Sequence, residues 1–375
     1  MKYSALFTCA TALLAISYAP SSMAQLYLPK DDVVSVKERP NTSLDALGIK
    51  APLQMLVSPS IEAKQKFDDN IYRTNSNKES DMVTSVMPAL DVKSDWKNHK
   101  LNLHASSDIG RYNDNESEDY VDYNLGANGR LDIMRNTYLT AEARFQHLHE
   151  DRSSPDNVGG NSPTEYDVIT SRVGFTRDLA RLKLYSSGQY QKYDFDDSNR
   201  NGLIINNDER DRNHRVIDAK IAYELSPNYD AFVKGAYNMR RYNAQQGLDR
   251  DSEGYNVTAG AALNISGKAK GEVYVGYLNQ DYDAISLDDV STINFGGSLL
   301  WNYSGLTSFK AALLRDVRET TLANTSAYVR TSIDASVEHA FREYLIADAK
   351  AGYINDDYRT AITSSREDDI LFSEL

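Results

Sequence analysis

The sharpest chemical spacing in the sequence lies in DSNRNGLIINND, residues 197–208. Asp197, Asn199, Asn201, Leu203 and Asp208 stand at positions 1, 3, 5, 7 and 12 of a calcium-binding loop, with Gly202 at position 6 and the apolar Ile204 after it. Carboxylate, amide and backbone oxygens are the hard ligands that Ca2+ takes, and the glycine sits where such a loop turns sharply. Two departures count against the match: position 12 is Asp rather than Glu, and no helices flank the segment. The competing reading is an acidic hairpin tip. A calcium ion held here would bind weakly, in the millimolar range of extracellular modules, and would stiffen the loop.

His147 and His149, followed by Glu150 and Asp151, are the other group that could hold a metal or move protons. Strand parity puts both histidines on the side of Phe145, towards lipid or a membrane rim, and an interfacial role is the plainer reading. His104 and Asp108 share a face but lie about 13 Å apart along a strand, too far for a dyad. No Ser-His-Asp arrangement emerges. The single cysteine, Cys9, falls in the N-terminal leader, which leaves the mature chain without thiol or disulfide chemistry. These residues point away from an enzyme.

The elements that must position such groups are long strands. In YVDYNLGANGRLDI, residues 120–133, Val121, Tyr123, Leu125, Leu131 and Ile133 share one face, while Asp122, Asn124, Arg130 and Asp132 share the other. The turn Met134-Arg135-Asn136-Thr137 reverses the chain into a strand where Leu139, Ala141, Ala143 and Phe145 alternate with Glu142 and Arg144. Soluble strands average about 5–6 residues, whereas a tilted strand crossing a bilayer needs roughly 9–11. Sixteen such segments follow one another from 56–72 to 366–375, joined alternately by short turns and by long, acidic, Asn-rich loops at 113–119, 151–163, 194–213 and 243–253. The pattern predicts an all-β, antiparallel, up-and-down transmembrane β-barrel with its long loops outside the cell and its short turns in the periplasm.

Parity then names an interior. Asp122, Arg130, Asp132, Glu142, Arg144, Arg172, Lys183, Asp218, Lys220, Lys234, Arg330 and Asp334 would face the lumen, since burying each in hydrocarbon would cost about 2–4 kcal/mol. Mixed signs favour an ion-pair lattice over a selectivity filter. Sixteen strands would still leave a water-filled interior. Tyr72, Tyr112, Tyr193, Tyr229, Tyr242, Tyr282, Tyr303 and Tyr358, near strand ends, are candidates for an interfacial belt.

The N-terminus reads as a signal peptide over residues 1–24, with Lys2, an apolar core from Ala5 to Ala19, and Ser22-Met23-Ala24 before Gln25. Residues 25–55 read as a periplasmic arm and 56–375 as the barrel. A net charge of −13 argues against nucleic acid as a partner. The last segment, REDDILFSEL, is short and lacks a terminal aromatic residue. We therefore expect poor pairing of first and last strands, with eighteen strands in a complete barrel.

Two stretches resemble the β-barrel porin-2 family of bacterial outer-membrane proteins. One is RPNTSLDALGIKAPLQMLVSPSIEAKQKFDDNIY, residues 39–72, with its Phe67-Asp68-Asp69-Asn70-Ile71-Tyr72 box; the other runs from Ser80 to Asp156. The resemblance implies an outer-membrane barrel whose surroundings are lipid and the barrel-assembly machinery. Some members sit in exopolysaccharide gene clusters, which suggests polysaccharide and its export apparatus as partners. The leading expectation is a passive or export channel for polar solutes. The alternative is a structural or assembly barrel with a blocked lumen.

Overall fold

The computed structural model describes residues 33–37, 39, 48–74, 76–243, 249–265, 268–322, 325–342, 345–360 and 366–374. Residues 1–32 and 40–47, and parts of several connections, including Ser266-Gly267, lie outside the described residues, and with them the expected signal peptide over 1–24.

A three-residue strand, β1 (Ile49–Ala51), precedes the long strands β2 (Met55–Asp68), β3 (Asp81–Ser94), β4 (Lys100–Tyr112), β5 (Tyr120–Met134), β6 (Thr137–His149), β7 (Glu165–Leu179) and β8 (Leu182–Phe195). A small hairpin, β9 (Ser198–Arg200) and β10 (Leu203–Ile205), interrupts the series. It resumes with β11 (Arg212–Ser226), β12 (Tyr229–Tyr242), β13 (Ser252–Ile265), β14 (Ala269–Tyr282), β15 (Val290–Asn302), β16 (Thr307–Glu319), β17 (Thr325–Arg342), β18 (Leu345–Thr360) and β19 (Glu367–Glu374). The sixteen long strands stand where alternation predicts them. Each pairs antiparallel with the next, β8 passing to β11 around the small hairpin, and no α-helix is present among the described residues.

Alternation decides which face meets lipid. Ile217, Ile221, Tyr223, Val233, Tyr237, Tyr255, Val257, Val273 and Val275 are exposed on the outside, while Asp218, Lys220, Lys234, Asn256 and Thr258 are buried inside. Cross-strand partners keep the faces in step, as in Ile217 opposite Tyr237 and Tyr237 opposite Tyr255. A slip of one residue would turn every charge into the bilayer. At 13–15 residues, most strands are longer than the hydrocarbon requires. Two outer-face tyrosines find polar partners on the neighbouring strand: the Tyr353 hydroxyl donates to Asp369, and that of Tyr237 to Glu253.

Two departures from a regular barrel matter. No residue-by-residue register among the described residues joins β19 to β2: β19 pairs with β18, and β2 with β3 and, over Met55–Val57, with β1. Residues 59–65 of β2 are exposed at every position instead of alternating. Secondly, β15 pairs with β16 only from Gly296 to Asn302, although β14 holds β15 from Val290 and β17 holds β16 up to Glu319. Above that seam the tip of the β16–β17 hairpin leaves the wall. Val317, Ala327 and Val329, on positions that alternation would turn outward, are buried in one cluster with Leu278, Tyr282, Leu287 and Val290.

Candidate functional site: the barrel interior

The charged residues that parity places inside are on the inner face, and they are knitted together. Arg130 pairs with Asp132 at 2.7 Å and Arg144 with Glu142 at 2.7 Å along single strands. Other pairs cross strands: Lys183–Asp230 at 2.7 Å, Lys220–Glu272 at 3.0 Å, Arg330–Asp356 at 2.6 Å and Lys350–Asp334 at 3.4 Å. Arg172 reaches Asp218 at 3.9 Å and the Ser187 hydroxyl at 3.2 Å, and Ser187 donates to Asp218 at 3.0 Å. Lys234 is buried opposite Lys220 in the register. Asp122 accepts from the His149 ring at 2.9 Å and its backbone N–H at 3.0 Å. A lattice of this kind lets charge line a low-dielectric interior, because each group meets a partner.

The interior is not uniformly wet. Along β11 to β15 the inner face is buried, and Tyr185, Ala222, Phe232 and Ala262 form an apolar cluster there with Lys220 Nζ 3.7 Å from the centre of the Phe232 ring. The sequence-based expectation of a water-filled lumen fails on this side because the wall curls tightly. Ion pairs link strands three and four places apart, such as Lys220–Glu272 and Arg240–Glu319. Open volume survives along β3 to β6, in a cavity of about 260 Å³ lined by Asp91, Lys93, Asn102, His104, Asn124, Asn128, Glu142 and Arg144. His104 contacts Asp91 of the adjacent strand at 3.0 Å and Ser106 at 3.0 Å.

Both ends of the barrel are occupied. At the short-turn end residues 33–37 lie against the inner wall, with Val33 0% and Val36 6% exposed. The Val36 N–H donates to the Ser308 hydroxyl, the Lys37 N–H to Glu338, and Asn302 Nδ2 to the Val34 carbonyl. These residues are thus packed into the lumen, because Val33 and Val36 can bury where β15 to β17 turn.

At the long-loop end six connections meet. Arg152 forks onto Glu118 and donates to the Gly160 carbonyl at 3.0 Å, while its guanidinium stands 5.9 Å from the Tyr72 ring. Burial, then the charge of Glu118, raises the Tyr72 phenol above its usual value, so it stays protonated and donates to Asn115 at 3.3 Å. The Phe67–Tyr72 box has its role here: Asp68 accepts two bonds from Arg73 at 2.8 Å each, and Asn70 and Ile71 are buried. Glu150, 7% exposed, takes both ends of the Arg210 guanidinium, one at 3.1 Å, and Arg210 stacks 4.1 Å over Phe195. Finally, Asp156 Oδ1 accepts from the Thr320 hydroxyl at 2.7 Å and the Thr321 N–H at 2.8 Å. The loop after β6 therefore reaches the loop after β16, eight long strands away on the opposite wall. Arg250 secures the same inward tip through the carbonyls of Thr320, Leu322 and Thr325.

Two expectations, on the histidines and the tyrosines, are corrected, and the 197–208 loop shows its own geometry. Residues 197–208 form a hairpin with Asn201 and Gly202, both at positive φ, as its two-residue turn. Asn199 Oδ1 takes the Gly202 N–H at 3.0 Å, Asp197 takes the Asn207 N–H at 3.1 Å, and Asp208 takes Asn206 Nδ2 at 2.9 Å. Asp197, Asn199 and Asp208, three of the five residues Asp197, Asn199, Asn201, Leu203 and Asp208 in the calcium spacing, are thus each engaged with an N–H of the hairpin itself, as the acidic hairpin tip would have them. His149 turns inward onto Asp122 and stacks on Tyr120 at 4.0 Å, while His147 stays outside against Tyr123 at 4.9 Å and Asp167 at 2.8 Å. Of the candidate belt tyrosines, Tyr229 and Tyr303 are outside, but Tyr242, Tyr282 and Tyr358 are buried, and Tyr193 faces in under Arg212. Their parity is that of the inner face, and they line the closed mouth.

An apolar outside, a charged and paired inside, and short turns opposite long loops define an outer-membrane β-barrel of the porin class. The family described as "Putative beta-barrel porin 2" matches residues 42–374, and the chain belongs to that family. No curated protein matches the sequence. Among solved structures, the siderophore receptor PirA of Acinetobacter baumannii is similar at 8% identity and a TM-score of 0.45, over 85% of this chain and 57% of the receptor. The iron transporter FrpB of Neisseria meningitidis gives 10% and 0.41 over 80% and 55%. The alcaligin receptor FauA of Bordetella pertussis gives 12% and 0.39 over 85% and 57%. The chain spans little more than half the length of these receptors.

Proposed function

We propose that this barrel is a channel for polar solutes that rests in a closed state, its long-loop mouth shut by the 151–163 loop and the inward tip of β16–β17. The observation that carries the reading is the Asp156–Thr320–Thr321 contact, which bridges opposite walls through hydrogen bonds at a loop tip. A closure fastened at its tip by polar contacts can be undone without dismantling the wall. The seam above Gly296 supplies the travel: if the β16–β17 tip swung back and extended the β15–β16 ladder, the mouth would open and the polar wall at β3–β6 would become continuous with the outside. Solutes would then pass Lys93, His104, Asn128 and Arg144. Family membership supports a barrel channel, and export of exopolysaccharide is the finer role that the resemblance suggests.

Liposome swelling tests the reading. Vesicles carrying the protein should admit small sugars faster when residues 152–160 are deleted than with the intact chain. Equal, negligible swelling in both would support the second reading, a structural barrel with a blocked lumen, which the buried inner face of β11–β15 favours.

Sidedness follows from loop length, with the long loops outside the cell. An epitope inserted at Asn157 should be stained by antibody on intact cells. Staining only after permeabilisation would invert the topology.

A further inference from the structure

Beneath the closed mouth the balance of charge changes. Arg212 and His214 stand two residues apart on the inner face of β11, and Arg240 lies opposite His214 on β12. The Arg212 guanidinium lies over the rings of Tyr193, Phe195 and Tyr242, at 4.4, 5.7 and 5.9 Å. Its Nη1 donates to the Arg210 carbonyl at 3.0 Å, and no carboxylate among the described residues lies within ion-pair distance of it. His214 Nε2 is shut away from solvent without a hydrogen-bond partner. Arg240 does have a carboxylate, Glu319, but that group also accepts from the hydroxyls of Tyr242 at 3.2 Å and Tyr282 at 3.1 Å. Arg250 spends its donors on carbonyls. Elsewhere the lattice sets cations against acids at ion-pair distance; here Arg212 has aromatic faces and one carbonyl, and Glu319 and Asp156 act on it only from farther away.

A half-buried guanidinium without an ion pair and a buried, unsatisfied imidazole nitrogen are each costly in isolation. Placed side by side and flanked by a second arginine, they offer the planar fork and neighbouring donor that grip an oxyanion. We propose that Arg212 and His214, with Arg240 behind them, form an anion-binding site inside the mouth, for a small oxyanion such as phosphate or the carboxylate of an acidic solute. Arg212 would donate through its unengaged N–H groups and His214 through Nε2–H, while the tyrosine rings hold the guanidinium plane in place. The site does not depend on the channel reading, because it can bind whether or not the barrel conducts.

Isothermal titration of inorganic phosphate, and separately of acetate, into the full chain in detergent tests this. Phosphate should bind one per chain, and Arg212→Gln should weaken binding by about tenfold or more, the scale of a charge-assisted hydrogen bond. Arg212→Lys keeps the charge but loses the fork, and should also weaken binding while the protein still shows the folded band on an unheated gel. Lys192→Gln, whose lysine pairs with Asp194, should bind as the wild type does. Acetate binding that is lost in the same variants would extend the site to carboxylates. Absence of phosphate binding to the wild type, or unchanged affinity in Arg212→Gln and Arg212→Lys, would overturn the proposal; a silent bilayer would overturn only the channel.

Discussion

Glu150→Ala should destabilise the folded barrel by about 3–5 kcal/mol, the scale for removing one partner of a buried ion pair. Glu150 and Arg210 are 7% and 4% exposed, and the carboxylate takes both guanidinium ends while also accepting from Ser154 at 2.8 Å. Removal leaves a desolvated guanidinium against the Phe195 ring with no counter-charge. The double variant Glu150→Met with Arg210→Met removes both charges and should recover most of the loss, because the cost lies in the orphaned ion rather than in the missing attraction. Urea unfolding of the vesicle-folded protein, followed by the fluorescence of Trp96 and Trp301, reads both values. A loss below about 1 kcal/mol in the single variant would place the pair in solvent, where ion pairs contribute that little.

The parts of this fold visible from the sequence are those that depend on neighbours along a strand. Alternation over 120–133 and 212–225 fixes which side chains face out, and long strands with unequal connections fix the barrel. Contacts that depend on which strands stand side by side, or on what crosses the lumen, carry no such signal. Asp91 and His104 meet only because β3 and β4 pair in one register. Asp156 and Thr320 are 164 residues apart, and nothing local to either announces the other. The tyrosines were legible but misassigned: proximity to a strand end suggests a lipid belt, yet parity puts Tyr242 and Tyr282 inside. The 197–208 spacing has a local explanation of its own. Asn201-Gly202 is a strong two-residue hairpin turn, and Asn and Asp beside such a turn are spent on its own backbone. The inward tip of β16–β17 could not have been foreseen, since 306–317 and 325–340 alternate as cleanly as any pair in the wall.

The most direct measurement is single-channel recording in planar bilayers, comparing the intact protein with Asp156→Ala and with the pair Asp156→Cys and Thr321→Cys. Asp156 holds the latch with one charged oxygen and bonds of 2.7 and 2.8 Å. Losing about 1.5–3 kcal/mol of closure should raise the ratio of open to closed time roughly 10- to 100-fold. The cysteine pair, in a sequence whose own cysteine is Cys9 alone, should remain shut under oxidising conditions and reopen on reduction. A protein that stays silent in all three forms, or one that conducts steadily and is indifferent to both changes, would contradict a channel closed by its own loop.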